Sequence, residues 1–265
     1  MWGAIIGDIV GSRFEFNRYN HKSEDFEFFT KACHITDDSV LTCATASVLL
    51  NNKFLTPLDY ALAYKQFGEK YPGYGYGSGF QKWLYASEMV VSESYGNGSA
   101  MRVSPIGVWF TSLDEVLEQA KRSCLYTHAH PEGIKGAQAV AAAIFMSHHG
   151  DGNNKQEIKQ YISDTFGYDL DRTLDEIRPT YKMDATCQGS VPQAIIAFLE
   201  SDDFESAIRK AISIGGDSDT IAAIAGSIAE RYYNVPCWMI NKAKEYLDEN
   251  LLSIIDAFDT VVDNK

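Results

Sequence analysis

Two segments of this chain are built almost wholly from small residues, Gly136–Ala143 (GAQAVAAA) and Ile221–Ser227 (IAAIAGS). Small side chains let helix axes approach closely, so both segments are expected to be central helices surrounded by others. Nearly every other long segment repeats apolar residues at three and four spacing: 3–12, 36–52, 56–71, 113–126, 131–147, 155–166, 190–200, 204–214, 219–233 and 236–262. Turn signals at Tyr71-Pro72-Gly73, Gly150-Asp151-Gly152, Arg178-Pro179 and Val235-Pro236 separate them. No alternating strand pattern and no fixed-period repeat occurs. The expected fold is all-α, a single compact orthogonal multi-helix domain over residues 1–265 with no linker or low-complexity tract dividing it.

Composition narrows the function classes. A formal charge of −13 opposes stable nucleic-acid binding and attachment to an anionic membrane, because both depend on clustered Lys and Arg. No apolar run is long enough to span a bilayer, and Met1-Trp2-Gly3 does not begin a signal peptide, so a cytoplasmic protein is expected. Five widely spaced cysteines without a C-x-x-C support neither a disulfide framework nor a zinc ribbon, and reduced thiols fit them best. A monomer or weak homo-oligomer is expected.

Two acidic clusters roughly 180 residues apart, Thr36-Asp37-Asp38-Ser39 and Gly215-Gly216-Asp217-Ser218-Asp219-Thr220, each open a helical stretch. Helix capping explains either cluster alone, since Thr and Asp at a helix start satisfy free N–H groups and the macrodipole. The pair is more informative. Four carboxylates and two hydroxyls form an oxygen donor set suited to Mg²⁺, Mn²⁺ or Ca²⁺ rather than copper or zinc. Asp37 and Asp38 diverge by about 100° on a helix and so can serve different ions. The Gly-Gly lead-in offers the positive φ and close approach that a plain N-cap does not need.

Four other places are candidates for chemistry. Gly96-Asn97-Gly98-Ser99-Ala100-Met101-Arg102 is a glycine-bracketed turn, either a capped turn or a cradle of N–H groups for phosphate. Tyr71–Phe80 alternates aromatic rings with glycine, and Tyr74, Gly75 and Tyr76 read either as a loop that stacks on a nucleobase or as a connection pinned by buried tyrosines. Of His128 and His130, one is expected to face a ligand pocket and the other to cap or be solvated; zinc is disfavoured because nothing completes a ligand set. His148 and His149 end a helix, where its dipole accounts for them. Asp8, in mid-helix, is expected to pair with Arg13, meet a helix end or support a metal ligand, and Glu15 alone reads as an ordinary acid.

Taken in order, GAIIGDIVGSRFE (Gly3–Glu15), TDDS (Thr36–Ser39), YGNGSAMRVSPIG (Tyr95–Gly107), THAHPEGIKGA (Thr127–Ala137) and GGDSDTIAAIAG (Gly215–Gly226) resemble the ADP-ribosylglycohydrolase family over nearly the whole chain. The resemblance implies an all-helical domain with two Mg²⁺ or Mn²⁺ ions in a central cleft, held by Thr36, Asp37, Asp38, Asp217, Asp219 and Thr220. It places Glu15 on a flap reaching the metals or substrate, Asn97, Gly98, Ser99, Ala100 and Met101 on the diphosphate, and His128 near the distal ribose. The implied reaction is hydrolysis at C1″ of ADP-ribose attached to an acceptor, with Asp37, Asp38 or Glu15 moving the proton. Tyr71–Ser87 contains no Asp or Glu to pair with a guanidinium, which places arginine as the acceptor in doubt and leaves serine, nucleic-acid ends and small molecules open. Two alternatives are weaker. A non-catalytic ADP-ribose binder is one; the other is a haloacid-dehalogenase-like phosphatase, whose D-x-D-x-T motif matches Asp217–Thr220 but should follow a buried strand.

Overall fold

The computed structural model describes residues 1–15, 20–51, 54–149 and 154–264. Among them are fourteen α-helices and two short 3-10 turns, and the sole β-type pairing is an isolated bridge between Gly96 and Thr186. The expected turn at Gly150-Asp151-Gly152 lies outside the described residues, as does the last residue of the 36–52 segment. The helices are α1 (Trp2–Gly11), α2 (Asp37–Asn51), α3 (Pro57–Lys70), α4 (Ser78–Leu84), α5 (Ser104–Trp109), α6 (Leu113–Cys124) and α7 (Pro131–His149). There follow α8 (Lys155–Phe166), α9 (Leu174–Ile177), α10 (Cys187–Leu199), α11 (Phe204–Ser213), α12 (Ser218–Tyr233), α13 (Cys237–Ala243) and α14 (Glu249–Val262).

Both small-residue segments are interior helices. α12 lies against α1, α7, α10 and α11, and α7 against α5, α6, α10 and α12. The closest approach is between α1 and α12. A Cβ added at Gly3 would stand 2.1 Å from the Gly226 carbonyl oxygen, one at Gly7 2.2 Å from that of Ala222, and one at Gly11 2.5 Å from Asp219 Cα. Three glycines at intervals of four occupy one helical face, so the two backbones touch along their length. This contact carries the C-terminal end of α1 to the N-terminal end of α12, where the second acidic cluster sits.

Several boundaries differ from the periodic reading, each for a local reason. The apolar pattern over 236–262 is not one helix: it breaks into α13, a 3-10 turn at Lys244–Tyr246, and α14. Asp248 caps α14 by accepting from Leu251 N at 2.8 Å and is itself held by the Tyr71 hydroxyl at 2.8 Å. α10 starts at Cys187 because Thr186 Oγ1 accepts from Gly189 N at 3.1 Å. Three short helices escape periodicity altogether. α4 begins within the glycine-tyrosine run, α5 carries Pro105 in its first turn, and α9 is closed by a Thr173/Glu176 capping box.

Candidate metal centre and the cleft above it

Three helix ends deliver the acids. α1 supplies Asp8, with Glu15 just beyond its end; the start of α2 supplies Asp37 and Asp38; and α12 begins with Asp217 and Asp219. One oxygen each from Asp8, Asp38 and Asp219 lie within 4.8 Å of one another, as do oxygens of Glu15, Asp217 and Asp219. The two triads share Asp219. Asp37 belongs to neither; it is half-buried on the cleft wall, and a Cβ at Gly75 would come within 3.3 Å of its Oδ1.

The reading of these acids as simple caps fails for the second cluster. Asp217 occupies the N-cap position of α12, yet its side chain caps nothing there; its Oδ2 instead accepts from Asn97 Nδ2 at 2.7 Å. Gly215 and Gly216 adopt φ of 76° and 71°, as the close approach requires, and the Gly216 N–H is held by Asn20 Oδ1 at 2.7 Å. Capping of α2 is shared between Thr36, whose Oγ1 accepts from Asp38 N at 3.3 Å, and Asp8. The Asp8 carboxylate accepts from Thr36 N at 3.0 Å, Thr36 Oγ1 at 2.7 Å, Ser39 N at 3.1 Å and the Ser39 hydroxyl. Of the three partners open to Asp8 in the sequence, the helix end is therefore met; Arg13 turns away, stacking over Phe14 at 4.3 Å and donating to the Glu27 carbonyl.

Charge is crowded here. Burial first, then repulsion from Asp8 and the other acids, pushes Asp37 and Asp38 well above the usual carboxylate range. Burial and Asp217 do the same to Asp219, and burial followed by Asp217 pushes Glu15 up to about 7. Burial also raises Asp8 and Asp217, against the hydrogen bonds they accept. Asp38 Oδ1 is buried with no hydrogen-bond partner. A buried orphan oxygen among converging carboxylates costs free energy that a bound cation offsets, so the donor set fits a hard divalent ion. Thr36 and Thr220 complete the rim: both hydroxyls reach Asp38 Oδ2, at 3.3 and 3.2 Å.

The acids form the floor of a cleft of about 380 Å³. Its other wall includes Asn97, Gly98, Met101, Arg102 and His128, and its mouth carries Met183 and Phe80. His128 is buried and faces the cleft, whereas His130 caps α7 by accepting from Glu132 N at 3.1 Å, so the two histidines divide as expected. His148 and His149 lie in the last turn of α7.

Some expected site residues are elsewhere. Ser99 and Ala100 are fully buried and do not line the cleft; the Ser99 hydroxyl donates to the Gly133 carbonyl at 2.7 Å. Asn97 does line the cleft, with its amide nitrogen spent on Asp217 and Ser190. The tyrosines of the glycine-tyrosine run turn inward: Tyr76 is buried against Phe80, and Tyr74 packs edge-on to Tyr71. What that run presents to the cleft is Gly75, Gly77, Ser78, Gly79 and Phe80. The reason is the hydrophobic effect, since large rings adjoining a core bury themselves and the glycines between them stay outside. Met183 lines the cleft without having been singled out in the sequence; Phe80 and Arg102 close two segments that were, though neither was named as a site residue, and the place of Asp8 beside the floor was one of three alternatives. For Phe80 the only signal was alternation continuing into α4.

A helical fold carrying converging helix-end acids below a cleft defines a class, and a model of the ADP-ribosylglycohydrolase family matches residues 1–260. The chain belongs to that family. It is 28% identical to ADP-ribosylhydrolase ARH3 of Homo sapiens, over 88% of this chain and 84% of that protein. An Archaeoglobus fulgidus protein is 31% identical over 57% of this chain and 55% of its own length. Among solved structures, one titled "ADP-ribosylglycohydrolase-related protein complex" superposes with a TM-score of 0.71, covering 97% of this chain and 94% of that one at 22% identity, a likeness of fold.

Proposed function

We propose that this protein is a metal-dependent hydrolase that cleaves the C1″ glycosidic bond of ADP-ribose attached to an acceptor and releases ADP-ribose. The observation that carries the reading is the meeting of acids from two distant clusters, Asp38 with Asp217 and Asp219, at one cleft, with Asp38 Oδ1 left unpartnered there. Thr36, Asp37, Asp38, Asp217, Asp219 and Thr220 would hold two Mg²⁺ or Mn²⁺ ions. What a pair of such ions supplies is acidification of a water and neutralisation of the crowded carboxylates.

The chain's own groups do the rest. Asp8 fixes the start of α2, and Asn97 fixes Asp217. Glu15 and Asp37 flank the cleft and are the groups placed to take or give a proton. Gly98 and Met101 form the surface assigned to the diphosphate, and His128 the surface beside the distal ribose. The cleft-facing part of the glycine-tyrosine run, Gly75–Phe80, bears no carboxylate, which supports an uncharged, oxygen-linked acceptor such as serine over arginine. The phosphatase alternative finds no support: Asp217–Thr220 follows α11, and no strand precedes it among the described residues.

A linkage panel tests the reading. The protein is incubated with serine-, arginine- and nucleotide-linked ADP-ribose, with Mg²⁺, Mn²⁺ or chelator, and free ADP-ribose is quantified by mass spectrometry. Release from the serine linkage, lost with chelator, is expected. Tight ADP-ribose binding without turnover of any conjugate would make the protein a binder instead.

A further inference from the structure

Arg102 is fully buried, and its hydrogen bonds point one way. Nη2 donates to Thr127 Oγ1 at 2.6 Å and, at 3.5 Å, to the Ser123 carbonyl, while Nε and Nη1 have no partner. The guanidinium carbon stands 3.8 Å from the Tyr64 ring centroid, so an aromatic face rather than a carboxylate balances the charge.

Thr127 Oγ1 stands between this cation and His128 Nδ1, which lies 2.9 Å away. A hydroxyl has one proton to give. A guanidinium only donates, so Oγ1 accepts from Arg102, and its proton goes either to His128 Nδ1 at 2.9 Å or to the Cys124 carbonyl at 3.4 Å. The second distance is beyond the ordinary O–H···O range and the first is not. Nδ1 is therefore the acceptor, and a neutral imidazole whose Nδ1 accepts carries its hydrogen on Nε2. Burial and the nearby Arg102 charge hold the ring neutral. Nε2 looks toward Gly96 and Gly98, where an added Cβ would stand 3.6 and 3.2 Å from it, and both glycines line the cleft.

We infer that Arg102 is a positioning residue: through Thr127 it locks His128 as the Nε2–H tautomer, giving the cleft a neutral hydrogen-bond donor for an oxygen of bound ADP-ribose. The ligand part rests on the glycohydrolase reading; the tautomer part does not. Long-range ¹H–¹⁵N correlation spectra of the full chain with ¹⁵N-labelled histidine report the tautomer directly and need no ligand or turnover.

The wild type is expected to show a protonated Nε2 and a bare Nδ1. Thr127→Val, which keeps shape and removes the hydroxyl, is expected to shift His128 toward Nδ1–H and to weaken ADP-ribose binding about tenfold by calorimetry, the weight of one hydrogen bond. Thr127→Ser should restore both. An Nδ1–H ring in the wild type overturns the relay, and so does an unchanged tautomer in Thr127→Val; a shifted tautomer with unchanged affinity overturns the donor role of His128. Should the valine variant not fold, the wild-type spectrum decides. A wild type with the expected tautomer but no ADP-ribose binding would instead defeat the functional reading beneath the proposal.

Discussion

The floor of the cleft and the wall facing it solve opposite electrostatic problems. At the floor, Glu15, Asp38, Asp217 and Asp219 are brought together with Asp8 just beneath them and Asp37 on the adjoining wall, and every one of the six is raised in pKa. On the wall, Arg102 is buried over Tyr64 and His128 is held neutral beside it. Like charges crowded in the low-dielectric floor stay apart or protonated unless a cation joins them. The wall instead holds its one buried cation over Tyr64 and against Thr127, with two guanidinium nitrogens left unpartnered. Under the proposed function, an acidic floor fit for cations and a wall with a hydrogen-bond donor together suit a ligand with hydroxyls at one end and phosphates at the other.

The largest expected effect breaks the floor. Asp38→Asn should lower ADP-ribose release by at least about 100-fold, since it removes a ligand oxygen from the centre. In chelator, the same variant should melt no lower than the wild type, because one repelling charge has been removed from a crowded site. Saturating Mg²⁺ or Mn²⁺ should raise the wild-type melting temperature and leave the variant's nearly unmoved. Calorimetry and the release assay together check this, and near-normal turnover in the variant would sink the ligand assignment.

A smaller effect separates floor from wall by pH. In chelator, Glu15 holds its proton up to about 7 when folded, against an ordinary value of 4.5. Its stabilising contribution is then complete below about 4.5 and is lost as pH rises toward about 7. His128 runs the other way, its pKa lowered from 6.5. Its contribution is complete above about 6.5 and is lost as pH falls below that value, because the unfolded chain takes up the proton first. Urea unfolding across this range should show the rising-pH loss diminished by Glu15→Gln and suppressed by saturating metal, with the low-pH loss untouched by either. A metal effect on both limbs alike would refute the division.

The smallest effect concerns the glycine-tyrosine run. Tyr76 has a buried hydroxyl without a partner and a ring turned from the cleft. Tyr76→Phe should leave ADP-ribose affinity unchanged and alter stability by no more than about 1 kcal/mol, in the stabilising direction. Loss of affinity in calorimetry would restore Tyr76 to the cleft.

How far the sequence foretold these regions depended on whether the deciding contact was local. The acid pairs were legible because a helix start is a local event, marked by Thr36 and by the Gly215-Gly216 lead-in. The interior places of α7 and α12 were legible from their small residues. Asp8 stayed ambiguous because its partners, Thr36 and Ser39, lie 28 and 31 residues away. The tyrosine run was ambiguous for a different reason: alternation shows that rings and glycines face opposite sides without saying which side is the core. The break before α14 left a local sign in Asp248, three residues ahead of Leu251, that apolar periodicity overrode. The Arg102–Thr127–His128 chain left none, since nothing in a lone arginine after a turn shows which hydroxyl it will meet.

The glycine face of α1 has a consequence for the protein's biosynthesis. Asp8 emerges from the ribosome early, whereas Asp217 and Asp219, at the head of the helix that α1 must touch, emerge with the last fifth of the chain. A growing polypeptide therefore owns only the Asp8, Glu15, Asp37 and Asp38 half of the acid cluster until that helix docks. If the acids load cations as proposed, loading would report that the two ends of translation have met, and an unfinished chain would have little means of trapping metal or acting prematurely on a conjugate.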